Sequence, residues 1–189
     1  VISKVDENKK PIPNTEIHFD CDTVLFSVGL IPENELSKDA GVTLSNKTRG
    51  AIVKQTRETS VSGIFACGNV LQVHDLVDFV SEEAEIAGKY ASKYLSDDNK
   101  NANCLEITNG ANVSYVCPQK IDKSFNEDVK LFFRVTNTFK NCTIIAKANG
   151  KILMQKKKAV ALPGEMETLT LKKSIFDNVD GQIEISLEV

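Results

Sequence analysis

A short apolar run that ends at a glycine, with a long amphipathic segment straight after it, limits what this chain can build more than any other feature. It spans Thr59-Ser60-Val61-Ser62-Gly63-Ile64-Phe65-Ala66-Cys67-Gly68-Asn69-Val70. Read by residue type it is a turn, a buried strand, a glycine, a polar residue and a helix. A strand that stops at glycine lets another group approach the backbone closely, because no Cβ stands in the way. A helix that starts beyond it offers free N–H groups and the positive end of its dipole. The pattern therefore predicts a place for an anionic, hydrogen-bonding ligand.

The helix is marked by Leu76, Val80, Ala84, Ala87, Ala91 and Tyr94, which recur at spacings of three and four. Asp75 or Asp78 is the expected cap. Glu82, Glu83 and Glu85 come early and Lys89 and Lys93 late, which suits the dipole. Ala84, Ala87, Gly88 and Ala91 make one face thin enough to lie close against a sheet or a cofactor-bearing strand. Upstream, Lys9 to Asn14 is turn-like, and Asp22 to Val28 reads as a strand covered on both faces. Glu35 to Ala40 predicts one or two helical turns stopped by Gly41. Ala51-Ile52-Val53 and Ile64 to Cys67 predict short strands.

Beyond about residue 103 every signal is strand. Val129, Leu131, Phe133 and Val135 alternate with Lys130, Phe132, Arg134 and Thr136. Asn149-Gly150 between two apolar runs marks a hairpin, and Pro163-Gly164 another turn. Roughly seven strands in this stretch favour a small β-sandwich. The polar segment from Ser96 to Asn103 is the expected linker, giving domains at 1–100 and 103–189. The fold class expected is an α/β fragment followed by an all-β sandwich. The chain opens on Val1 inside an apparent strand pair, which suggests a piece of a longer protein.

The 189 residues carry a formal charge of −3 and are 41% hydrophobic. A packed core is feasible, and the basic footprint of a nucleic-acid binder is missing. Lys156-Lys157-Lys158, the dense basic cluster, reads as a solvated strand or loop. Five cysteines without a CxxC pair or zinc spacing point to reduced, mostly buried thiols in a cytoplasm. Cys67 reads as packing, and Cys104 and Cys117 as exposed thiols. No apolar run is long enough for a membrane span, and no metal site is expected. His18 reads as structural, and His74 as a solvated or capping side chain.

Several pieces, in this order, resemble one family. Thr23 to Asn34 is similar to the strand that returns from a nucleotide domain to a flavin domain and ends near Ala-Thr-Gly and x-Pro-Asn; here these read Ser27-Val28-Gly29 and Pro32-Glu33-Asn34. Arg49-Gly50-Ala51-Ile52-Val53 resembles Arg-Gly-x-Ile-x-Val. Thr59 to Asn69 resembles Thr-Ser-x-x-Gly-Ile-Phe-Ala-x-Gly-Asp. Together they resemble the carboxyl-terminal part of the FAD/NAD(P)-binding, Rossmann-like domain of the pyridine nucleotide-disulfide oxidoreductase superfamily, over about the first 95 residues. The β extension resembles one found in some bacterial FAD oxidoreductases.

The resemblance implies FAD and NAD(P)H as cofactors of an intact oxidoreductase. Gly68, Asn69 and Val70 would approach the ribityl and phosphate side. Asp78, Phe79 and Val80 would present helix N–H groups to the ring, and Ser27, Val28 and Gly29 would shape the strand crossover. Asn69 stands where the family has Asp, keeping an acceptor without the charge. The glycine-rich GxGxxG motif and a redox cysteine pair do not occur, so the chain alone is expected to be inactive. The sandwich would be free to dock a partner oxidoreductase subunit. The rival expectation is a non-enzymatic binding or assembly module with a degenerate flavin site and the sandwich as its working surface.

Overall fold

The computed structural model describes residues 1–27, 29–96 and 103–189. Val28 and most of the expected linker lie outside the described residues. The amino-terminal region is helical and irregular, and the rest is multi-stranded β structure.

Helix α1 (Glu35–Asp39) forms where the sequence places it, and Gly41 at φ +76° follows it. The apolar run after Asp22 does not become a covered strand. Val24, Leu25 and Phe26 are 62%, 91% and 83% exposed and belong to no ladder. A continuous apolar run specifies a strand buried on both faces only if neighbouring strands cover it, and no described segment pairs with it. Ala51 and Phe65 likewise make single bridges, to Leu44 and Glu58, rather than strands. Near the start, Ile2 with Ile17 and Val5 with Pro11 close a loose hairpin over the turn-like segment.

Helix α2 (Val77–Tyr94) is confirmed, but its inward face and its cap differ from the sequence reading. Leu76 is the N-cap, and no side chain caps the helix. The buried positions are Glu83 and Ala87, while Ala84 and Gly88 are exposed. The thin face is therefore split: Ala87 packs inward and Ala91 is half-buried, while Ala84 and Gly88 meet solvent, and a Cβ placed on Gly88 would touch nothing within 4 Å.

Among the described residues, eight strands follow. They are β1 (Cys104–Asn109), β2 (Val113–Cys117), β3 (Lys120–Asp122), β4 (Val129–Val135), β5 (Phe139–Ala148), β6 (Lys151–Ala161), β7 (Glu167–Leu171) and β8 (Gln182–Glu188). One sheet runs β3-β1-β8-β5-β6 and the other β2-β4-β7. All neighbours are antiparallel except β1 with β8. A short helix, α3 (Lys173–Phe176), precedes β8. Both sheets feed one apolar core, including Ile107, Leu131, Phe133, Ile144, Leu169 and Ile185. The β5–β6 turn holds Asn149 at φ 50° and Gly150 at φ 75°, the paired left-handed geometry that Asn-Gly provides. Lys156 and Lys157 are exposed on β6, an edge strand, where lysines deter pairing with other chains, whereas Lys158 is half-buried and pairs with the buried Glu167.

Strand β4 has two buried faces. Leu131 and Phe133 enter the sandwich core, while Lys130, Phe132 and Arg134 face α2 and the segment before it. Lys130 Nζ reaches Glu82 at 2.5 Å, and Arg134 pairs with Asp75 and donates to the Val73 carbonyl at 3.0 Å. Phe132 is fully buried between them. Period-2 alternation explains the arrangement: each outward residue of β4 meets one element of the amino-terminal region. Gln119 extends the seam, its side-chain carbonyl accepting from the Val53 amide at 2.9 Å. Cys117 of β2 packs with Val42, Ala51, Val53, Ala66 and Leu71, so a second core crosses from one region to the other.

Candidate cofactor cleft

Gly68, Asn69 and Val70 form one 3-10 turn between Cys67 and Leu71. Gly68 holds φ +71°, and a Cβ there would stand 3.2 Å from Val80 Cγ1. Both facts call for glycine, and the close neighbour in the described chain is α2 itself.

The Gly68 amide donates to Glu83 Oε2 at 3.0 Å. Glu83 is completely buried and gathers further donors. His74 Nε2 lies 2.9 Å from Oε2, and Gln72 Nε2 donates to Oε1 at 3.0 Å. Arg57 Nε stands 3.3 Å from Oε1, an ion pair between two side chains with almost no solvent contact. Burial pushes the Glu83 carboxyl up, but the His74 hydrogen bond, the Arg57 and His74 charges and the Gly68 amide outweigh it and hold the group below its ordinary value. The cluster ties the glycine turn to α2. His74 is thus a buried member of this cluster and neither solvated nor a helix cap.

The structure spreads the expected site residues over three places. Ser27 and Gly29 are exposed on the extended segment. Asn69 is exposed, and its Oδ1 accepts from the His74 amide at 3.1 Å. Asp78 is exposed, whereas Phe79 packs edge-on against Phe132 with centroids 5.3 Å apart. Val80 packs on Gly68. The Asn69 amide has no acceptor among the described residues, and the first turn of α2 is uncapped.

The neighbours of these residues come together around a cleft of about 360 Å³. Leu30, Ile31 and Pro32, just past Gly29, form an apolar wall, and Gln72 and Val73, just past the glycine turn, stand in it too. Asn34 fastens the two segments, its Nδ2 donating to the carbonyls of Val70 at 2.8 Å and Arg49 at 3.0 Å. Lys47, Arg49 and Arg134 make the remaining side cationic, and Tyr115 of β2 completes it. Lys47 and Arg49 have no ion-pair partner among the described residues. Gln72, itself 1% exposed, has an Oε1 with no hydrogen-bond partner. Burial pushes the Tyr115 phenol up to about 12, the nearby Arg134 charge acting against it, and its hydroxyl donates to Met166 Sδ at 3.8 Å.

This donor set suits a ligand that carries an anionic group and a flat apolar part. It fits an FAD-like molecule through the cationic side, the apolar wall and the unanswered Gln72 acceptor. It does not offer the Gly68 amide or Asn69 Oδ1, which serve the protein's own hydrogen bonds. Sequence reasoning missed Gln72, Lys47, Arg134 and Tyr115. Leu30, Ile31, Pro32 and Arg49 stand inside the family-like segments.

All five cysteines are free. Cys117, expected to be exposed, is fully buried, and desolvation pushes its thiol far above the ordinary range. Cys67 and Cys104 are half-buried and also shifted up by burial. No group of three or more potential metal ligands occurs among the described residues. No helix among them is long and apolar enough to cross a membrane.

Residues 1–91 match the family described as pyridine nucleotide-disulphide oxidoreductase. No curated protein and no solved structure matches the chain. The amino-terminal region is therefore related to a redox superfamily at the superfamily level, and the β region has no relative in these comparisons.

Proposed function

We propose that this chain belongs to an FAD-dependent, NAD(P)H-linked oxidoreductase of the cytoplasm and forms one wall of its flavin site. The observation that carries the reading is the cleft where the two family-like segments meet, with its unpaired Lys47 and Arg49 and its apolar wall. The superfamily match over residues 1–91 supports it. FAD would supply hydride exchange between a nicotinamide and an electron partner. The residues of this chain bind and orient. Lys47, Arg49 and Arg134 hold the anionic portion, and Leu30 to Pro32 shield the apolar portion from water. The start of α2, with Asp78, Phe79 and Val80, directs its dipole toward the ring. Gly68, Asn69 and Val70 present the Asn69 amide to the ribityl side, while Ser27, Val28 and Gly29 carry the crossover. The remainder of the site would come from two glycine-rich βαβ units elsewhere in the intact protein, and this chain alone would be inactive. Division into domains at 1–100 and 103–189 is part of the same proposal, with the sandwich available to a partner oxidoreductase subunit.

The rival reading is a binding or assembly module that has lost its flavin. One observation favours it: the Gly68 amide and Asn69 Oδ1 are both committed inside the protein. Flavin content of the purified intact protein separates the two. A yellow protein whose flavin is lost on Lys47→Ala with Arg49→Ala supports the oxidoreductase. A colourless protein that cannot be reconstituted with FAD supports the module. Asn69→Asp keeps Oδ1 on the His74 amide and replaces the Nδ2 donor by a second acceptor oxygen, so it is expected to tighten flavin retention.

A further inference from the structure

A second crevice lies where α2 meets the sandwich, and the flavin reading makes no use of it. Its volume is about 310 Å³, at the lower end of small-molecule sites. Four aromatic rings stand in it as two pairs. Phe65 and Tyr94 meet edge-on with centroids 6.1 Å apart, and Tyr90 and Phe125 are tilted at 5.7 Å. Gln55, Tyr90, Phe125 and Glu127 also border a smaller recess of about 80 Å³, whose lining includes Arg57.

Arg57 is 1% exposed. Its Nη1 donates to the Gln55 carbonyl at 3.2 Å, its Nε is ion-paired with Glu83, and its Nη2 has no hydrogen-bond partner. A guanidinium keeps its charge and its five N–H donors in any protein environment, and a buried donor left unanswered is costly. The acids near the recess are already matched. Glu127 accepts from Lys89 at 2.8 Å and from the Tyr90 hydroxyl at 3.2 Å, and Lys130 is held by Glu82. Asp128 accepts from the Lys173 amide at 2.9 Å. In the crevice, Glu58 accepts from Lys54 at 2.8 Å and Asp122 from the Ser124 amide and hydroxyl at 2.8 Å. What remains unanswered is a cationic donor in the recess beside the Tyr90–Phe125 pair, which the recess shares with the crevice.

We infer that this crevice binds a small aromatic carboxylate, its ring held between the Phe65–Tyr94 and Tyr90–Phe125 pairs and its carboxylate on Arg57 Nη2. Ring contacts provide area, and the charge-assisted hydrogen bond provides selectivity. The site is separate from the cofactor cleft, so it stands or falls independently of flavin content.

The test titrates the protein with benzoate, benzyl alcohol and acetate, following heat and backbone amide NMR shifts. Benzoate is expected to bind, with shifts centred on residues 57, 65, 90, 94 and 125. Benzyl alcohol lacks the charge and acetate lacks the ring, and each is expected to bind at least about tenfold more weakly. Phe125→Ala is expected to leave the fold intact and weaken benzoate about tenfold. Arg57→Ala strands Glu83 and is expected to unfold, so the ligand series carries the test. Benzyl alcohol binding as tightly as benzoate would remove Arg57 from the account and overturn it. Acetate binding as tightly as benzoate would do the same for the rings, and no binding by any of the three would leave a recess for water only.

Discussion

Glu83→Gln replaces one oxygen of a buried carboxylate by an NH2 group and otherwise keeps its shape. Oε2 faces the Gly68 amide and His74 Nε2, and Oε1 faces Gln72 Nε2 and Arg57 Nε. Whichever way the new amide turns, its NH2 meets a pair of groups that includes a donor with no other acceptor. The substitution also leaves Arg57 buried without its anion. Breaking one side of a buried ion pair costs about 3–5 kcal/mol. For a protein of this size that lowers Tm by roughly 6–20 °C. Thermal melts and urea titrations at pH 7 read it directly. Glu82→Gln is the control, since Glu82 is one residue away but its pair with Lys130 is partly exposed; its cost is expected to stay below about 1 kcal/mol. The acid limb adds a second readout. The Glu83 carboxyl is held below its ordinary value, so its contribution is present above the unfolded value of about 4.3 and is lost as pH falls through the folded one. Wild-type protein should therefore lose stability on acidification more steeply than Glu83→Gln. If Glu83→Gln costs under about 1 kcal/mol, or as little as Glu82→Gln, the buried-cluster reasoning is wrong.

Other perturbations test the packing. Gly50→Ala places a Cβ 1.8 Å from the Leu71 carbonyl oxygen, and the chain is expected to lose more than about 3 kcal/mol in a denaturant titration, or not to fold. Gly88→Ala has open space on an exposed helical face and is expected to gain about 0.5–1 kcal/mol; a loss would show that something covers that face. Phe132→Ala empties the fully buried outward face of β4, costing about 3–5 kcal/mol, and hydrogen exchange should show lost protection in α2 before the sandwich strands. Arg134→Ala removes a partly buried pair with Asp75 and the hydrogen bond to the Val73 carbonyl; a loss of about 1–3 kcal/mol, part of it screened by high salt, is expected in melts.

Particular residues show what the sequence made legible. Alternation in β4 and the Asn149-Gly150 turn are local rules, and both hold. The helical period of α2 is local as well, but its inward face is not. Glu83 reads as one of three acidic residues suited to the helix dipole, and its burial is offset by His74, Arg57, Gln72 and the Gly68 amide, all brought from outside the helix. Phe132 sits at a position that alternation assigns outward, and it is buried because a second layer covers that sheet. Leu25 and Phe26 show the reverse case, apolar residues with no described strand to cover them. In the cleft, the motifs marked the right segments, yet the lining side chains fall just past Gly29, just before Gly50 and four to five residues past Gly68, and Tyr115 and Arg134 come from the sandwich. No spacing rule joins residues that distant in sequence.

A photoreactive FAD analogue, irradiated with the intact protein and mapped by peptide mass spectrometry, tests the flavin wall most directly. Labelling is expected on the segments that hold Leu30 to Pro32, Lys47 to Arg49 and Gln72 to Val73, on Tyr115 or Arg134 of the sandwich, and to be blocked by excess FAD. Labels confined to other segments, or labels on these that excess FAD does not displace, would contradict it.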